Sequence, residues 1–79
     1  ERNEIKSVVS KLLDGAKNFD QVTLWVSKED FEAQRSELKN FQRQYPEIGV
    51  IRIELDATLA KSECIMETNN TLTQNLNAS

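Results

Sequence analysis

Few of the side chains able to do chemistry in this 79-residue chain stand in useful groups. There is one cysteine, Cys64, and no histidine. Ser-His-Asp and Cys-His arrangements are therefore excluded within the chain, as are a Cys/His zinc site and an internal disulfide. A reactive thiol needs nearby cations to stabilise its thiolate. Only Lys61 is close in sequence, and Cys64 precedes Ile65 and Met66 in an apolar run. It reads as a small buried hydrophobe. Glu63 and Glu67 flank that run but face away from its apolar residues, so they read as solvated edge charges rather than a paired acid and base. No GxxxxGK[ST] or GxGxxG segment offers a phosphate cradle, and the Asp/Glu spacing lacks the EF-hand pattern and its glycine. No catalytic residue, cofactor or metal site is expected.

Two features point instead to surfaces. Arg35, Lys39 and Arg43 recur every four residues, a basic stripe that suits either an acidic partner or, more simply, a solvated helix face. Trp25 lies on the side of its strand opposite Val22, Leu24 and Val26. If helices cover only one side of the sheet, either Trp25 or that trio is left at the surface, and an exposed aromatic marks a protein interface. The net charge of −3 disfavours a general pull on nucleic acid. No apolar run approaches the ~20 residues needed to span a bilayer. One cysteine without a partner fits a reducing compartment. Two N-glycosylation sequons, at Asn69 and Asn77, read as chance in the absence of a secretory signal.

The elements that must position these residues follow from periodicity. Ile5, Val8, Val9, Leu12 and Leu13 make one apolar helical stripe, and Gly15 is the expected stop. Gln21–Val26 alternates as a strand. Ser27 follows as an N-cap with Asp30 three residues on, close to a capping box. One helix is expected from Lys28 to Gln44, with Phe31, Leu38, Phe41 and Tyr45 on its inner stripe and Pro46 closing it. Val50–Asp56 reads as a second strand, parallel to the first, because strand, helix and strand form a βαβ unit. After a loop over Asp56–Ser62, Glu63–Thr68 is a third strand. Asn69-Asn70 is the expected turn into a fourth, Thr71–Leu76. The fold class is therefore α+β: a small mixed β-sheet, in the order α-β-α-β-β-β, with helices packed on one face. The chain is expected to be one domain, residues 1–79, taken from a longer protein, since it starts at Glu1 and stops within a polar stretch.

Three segments and the chain's end carry a family resemblance, the first being helix Ile5–Leu13 leading into strand Val22–Val26. Val26-Ser27-Lys28-Glu29-Asp30 looks like a valine, polar residue, proline, any residue, aspartate motif. Asp56-Ala57-Thr58-Leu59, then Ser62-Glu63-Cys64-Ile65-Met66-Glu67-Thr68, look like Asp-x-x-Leu followed by Gly-x-Cys-x-x-Glu-Thr. Leu76-Asn77-Ala78-Ser79 is similar to an Ala-Ser pair before a last helix. Together they resemble the C-terminal domain of type III secretion and flagellar ATPase stator proteins (the FliH/YscL type), which are similar to the peripheral-stalk E subunit of V-type ATPases. The likeness covers nearly all 79 residues. Lys28 departs from the helix-first proline, Ser62 and Glu63 stand where a glycine is common, Asn69-Asn70-Thr71 lacks a turn glycine, and the chain stops before the last helix.

The resemblance implies a binding protein, not an enzyme. It implies a stator that dimerises, holds the N-terminal region of a secretion ATPase and restrains its activity. Through other segments such a protein links the ATPase to the cytoplasmic sorting platform, in the cytoplasm beside the inner membrane. Trp25, Ile65 and Leu72 are the expected partner-binding residues, with no nucleic acid and no membrane insertion. The alternative is a small RNA-binding α/β domain, against which stand the absent GxxG loop and the negative charge.

Overall fold

The computed structural model describes residues 4–68 and the backbone of residues 73–77. Seven elements follow in order: α1 (Glu4–Asp14), β1 (Gln21–Val26), α2 (Lys28–Ser36), α3 (Leu38–Gln44), β2 (Val50–Leu55), β3 (Glu63–Thr68) and β4 (Thr73–Asn77). The four strands form one mixed sheet in the order β2-β1-β3-β4. β1 runs parallel to β2, with Leu24 opposite Ile53, and antiparallel to β3, with Leu24 opposite Met66. The α+β class, the mixed sheet and the one-sided helix layer are as the sequence indicates.

The core lies between the sheet and the helices. Val22, Leu24 and Val26 of β1 are buried, with Ile51 and Ile53 of β2 and Cys64 and Met66 of β3 on the same face. The stripe of α1 covers them, with Val9 and Leu13 wholly enclosed. Phe41 and Tyr45 close the other side, while Phe19, Phe31 and Leu38 pack at the margin. A fully buried side chain of this kind contributes roughly 1.5–3 kcal/mol over its exposed state. The Tyr45 hydroxyl donates to the Ser10 carbonyl at 3.4 Å, tying the end of α3 to α1.

The single helix expected over Lys28–Gln44 is two helices. The Ser36 hydroxyl donates to the Ala33 carbonyl at 2.9 Å, a back-bond of the type that bends helices. The Glu37 N–H then turns to Gln34 O at 3.1 Å, an i→i−3 step that tightens the turn. The bend lets α2 and α3 both contact β2. The end of α1 also differs in detail. Gly15 follows the helix but is not left-handed. Its N–H returns to Leu12 O at 3.1 Å and Ala16 N–H to Leu13 O at 3.0 Å, so 3₁₀-type turns close the helix. The fourth strand is Thr73–Asn77 rather than Thr71–Leu76, and the Asn69-Asn70 turn lies outside the described residues.

The β1–α2 turn is the most heavily bonded point of the fold. Ser27 is the N-cap, and its hydroxyl oxygen accepts from Asp30 N–H at 3.2 Å. The same hydroxyl donates to Asp30 Oδ2 at 2.9 Å. Asp30 does not complete a reciprocal capping box. Its Oδ2 reaches across the fold and accepts the Ser62 N–H at 2.7 Å. Ser62 has a φ of 68° and leads directly into β3. All three residues are buried.

Removing this carboxylate strands buried donors on both sides, and bonds to charged acceptors contribute ~1.5–3 kcal/mol each. Asp30→Ala is expected to lower unfolding free energy by roughly 3 kcal/mol. Asp30→Asn keeps one carbonyl acceptor and should lose less. Urea denaturation of the two variants checks the ranking, and equal losses would remove the bridging role. A β-branched residue is strained at the φ of position 62, so Ser62→Val should be less stable than Ser62→Gly by about 1 kcal/mol or more in the same experiment.

Candidate protein interface on the open sheet face

With the helices on one side, the other face of the sheet carries Gln21, Thr23 and Trp25 from β1, Val50, Arg52 and Glu54 from β2, and Glu63, Ile65 and Glu67 from β3. Strand register sets them in rows. Trp25 lies between Glu54 and Ile65, and Thr23 between Arg52 and Glu67. Trp25 and Ile65, two of the residues expected to bind a partner, are thus direct cross-strand neighbours, both half-buried. Val50, beside Gln21 at the far end of the β1–β2 pairing and separated from Trp25 by Thr23 and Arg52, is 44% exposed. Leu72, the third expected residue, lies outside the described residues.

Trp25 is held in place by a bond the sequence did not disclose. Its indole N–H donates to Glu67 Oε1 at 3.1 Å, along the diagonal between β1 and β3. The bond ties the ring to the sheet, and an aromatic side chain already held in this way has less freedom left to lose in any contact. The face bears three carboxylates, Glu54, Glu63 and Glu67, against the Arg52 guanidinium. Of these, Glu63 Oε1 accepts the Ala60 N–H at 2.9 Å and so braces the loop before β3. An apolar centre with an acidic rim suits a partner with apolar and basic groups.

The other candidates have structural work. Cys64 is buried in the core face, and burial, helped by the nearby Asp30 charge, pushes its thiol up to about 12. It is a neutral core side chain at ordinary pH. Asp56 accepts from Thr58 N–H at 2.9 Å and from the Thr58 hydroxyl at 2.6 Å, closing an Asx turn. Those two bonds hold its carboxyl below the usual value. Arg35, Lys39 and Arg43 are all exposed, and the bend divides their stripe between α2 and α3. Arg43 Nη1 donates to Asn40 Oδ1 at 3.1 Å, and Asn40 Nδ2 to Glu37 Oε1 at 3.0 Å, within the helix surface. Between α1 and α2 lies a groove of about 360 Å³ whose lining includes Lys6, Asp30, Gln34 and Lys61. Gln34 is buried there and its Oε1 has no hydrogen-bond partner. No helix among the described residues is long and apolar enough to cross a membrane.

Comparison with family models, with curated proteins and with solved structures found no match to this chain.

The position of Cys64 gives a pH dependence. The thiol titrates near 9.0 when unperturbed and near 12 in the fold, so unfolding favours the thiolate. The stability that the neutral thiol contributes is intact below about pH 9 and is lost progressively as pH rises toward 12. Wild type should therefore lose stability more steeply than Cys64→Ala between pH ~8 and ~10.5, measured by urea midpoints. Parallel pH profiles for the two proteins would place the thiol in water.

Proposed function

We propose that this chain is a non-catalytic interaction domain of the secretion-ATPase stator type, gripping the N-terminal region of a hexameric ATPase through its open sheet face. The observation that carries the reading is the cross-strand pair Trp25 and Ile65, with Trp25 bonded to Glu67, on a face that no helix among the described residues covers. In the parent protein this domain is the end of a stalk. It restrains ATP hydrolysis by holding the ATPase, and segments beyond this domain connect to the cytoplasmic sorting platform beside the inner membrane.

Two of the segments that resemble the family support the reading because their residues have backbone tasks. Ser27 and Asp30 make the helix cap. Asp56 makes the Asx turn, with Leu59 N–H on Asp56 O at 3.1 Å. Ser62 stands where the family pattern has glycine, and it is the one non-glycine residue with positive φ among those described. That conformation is the reason a glycine belongs there. Two positions on, Cys64 fills the core.

The test is co-purification of the parent protein with its secretion ATPase, read by complex mass and hydrolysis rate. Two copies of this chain per ATPase and a lowered rate are expected. Trp25→Ala should weaken the complex by about tenfold or more, the usual effect of truncating an interface tryptophan, with the circular dichroism of the domain unchanged. A full-strength complex with Trp25→Ala would move the grip to another surface. Failure of two folded partners to associate would end the stator reading, and salt-dependent RNA binding in its place would favour the RNA-binding alternative.

A further inference from the structure

β2 ends the sheet on one side. Val50 N–H bonds to Asp20 O and Asp56 N–H to Val26 O, both at 2.8 Å. In a parallel ladder the donors and acceptors of one strand alternate in direction. Val50, Arg52 and Glu54 therefore aim their main-chain groups at β1, and Ile51, Ile53 and Leu55 aim theirs outward. No main-chain or side-chain hydrogen bond to those outward groups occurs outside the ladder among the described residues. The two large hydrophobic side chains left exposed among the described residues, Val50 at 44% and Leu55 at 42%, sit at the two ends of this same strand.

We propose that β2 pairs edge to edge and antiparallel with β2 of a second copy of this chain, about a two-fold axis at Ile53. In that register Ile53 faces Ile53 of the partner copy, and Ile51 faces Leu55 on either side. All of these are outward-bonding positions, so each pair exchanges both of its hydrogen bonds. Arg52 then stands directly opposite Glu54 of the partner copy, twice by symmetry, in the closer, non-hydrogen-bonded kind of pair. The charges also select this register. Shifting the pairing by one outward position brings Arg52 against Arg52. Shifting it the other way brings Glu54 against Glu54. Like charges directly opposite are destabilising.

The exposures fit the same geometry. Accessibility rises along the strand, from 2% at Ile51 and 8% at Ile53 to 42% at Leu55. Antiparallel pairing sets the closed end of one strand beside the open end of the other, and Leu55 gains cover from Ile51. The axis is perpendicular to the sheet, so the helices of both copies stay on one side and both open faces on the other. The pairing involves neither Trp25 nor Ile65 and holds whatever partner those residues bind.

Sedimentation equilibrium of the chain tests the pairing, using charge reversals at exposed and half-exposed positions that leave the core untouched. Wild type should dimerise. R52E alone and E54R alone place like charges opposite each other and should each weaken the dimer by about tenfold or more. An equimolar mixture of the two should restore association, because every facing pair is then of opposite sign, and the double variant R52E/E54R should self-associate like wild type. Restoration on mixing also excludes misfolding of either variant as the cause of its loss. A wild-type chain that stays monomeric, a dimer indifferent to both reversals, or variants that fail to associate when mixed would each overturn the proposal.

Discussion

One carboxylate oxygen joins the two halves of the domain. Asp30 Oδ2 accepts both the Ser27 hydroxyl and the Ser62 N–H, so the start of α2 and the start of β3 are fixed to the same point. β1 delivers the chain to Ser27, and β3 leaves from Ser62 to pair back along β1. The register between β1 and β3 is thus pinned at its end by something other than its ladder. A charge in so enclosed a position is costly unless its lone pairs are used. The left-handed backbone at Ser62 is part of the same arrangement, since it leads directly into β3 while its N–H points at Asp30.

With that register fixed, every side chain of the central strands has a determined side. A slip of one residue would exchange the core trio of β1 for Thr23 and Trp25. The two faces are chemically unlike: one is closed by α1, α2 and α3, and the other carries a tryptophan, an isoleucine and a mixed set of charges. Gly49 shows how tightly the parallel side is built. A Cβ there would come within 2.8 Å of the Asp20 carbonyl oxygen, the acceptor for Val50 N–H. Only a glycine lets the chain approach β1 so closely before β2 begins.

Much of this was legible in the sequence because it rests on period and local chemistry. Gln21–Val26 sets Val22, Leu24 and Val26 at period two and Glu63–Thr68 is built on the apolar run Cys64-Ile65-Met66, and both strands have the bounds those signals imply. Ser27 is a cap because its hydroxyl acts three residues away. The break at Ser36–Leu38 was hidden because neither proline nor glycine marks it; it goes with a serine hydroxyl bonding back to Ala33 and the Glu37 N–H turning to Gln34 O. Leu55 continues the alternation of Ile51 and Ile53, yet it is exposed because it lies at the end of an edge strand. Periodicity reports a side chain's direction and not what stands over it. The Trp25–Glu67 and Asp30–Ser62 bonds span 42 and 32 residues, and no local pattern contains them. The glycine-like position of Ser62 was the one available trace of the second.

The order of the sheet also bears on how the chain is made. β1 is central, but both of its neighbours are encoded after it: Val22 pairs with Ile51 on one side and Thr68 on the other. During synthesis an apolar strand leaves the ribosome with two unpaired edges and waits through about 30 further residues, roughly two to six seconds at ordinary elongation rates. Of the described elements, α1 is the one already translated and able to shelter it. The nascent domain is thus most open to chaperones and to mispairing while α2 and α3 are being translated, and it closes only when the segment after Ser62 has emerged.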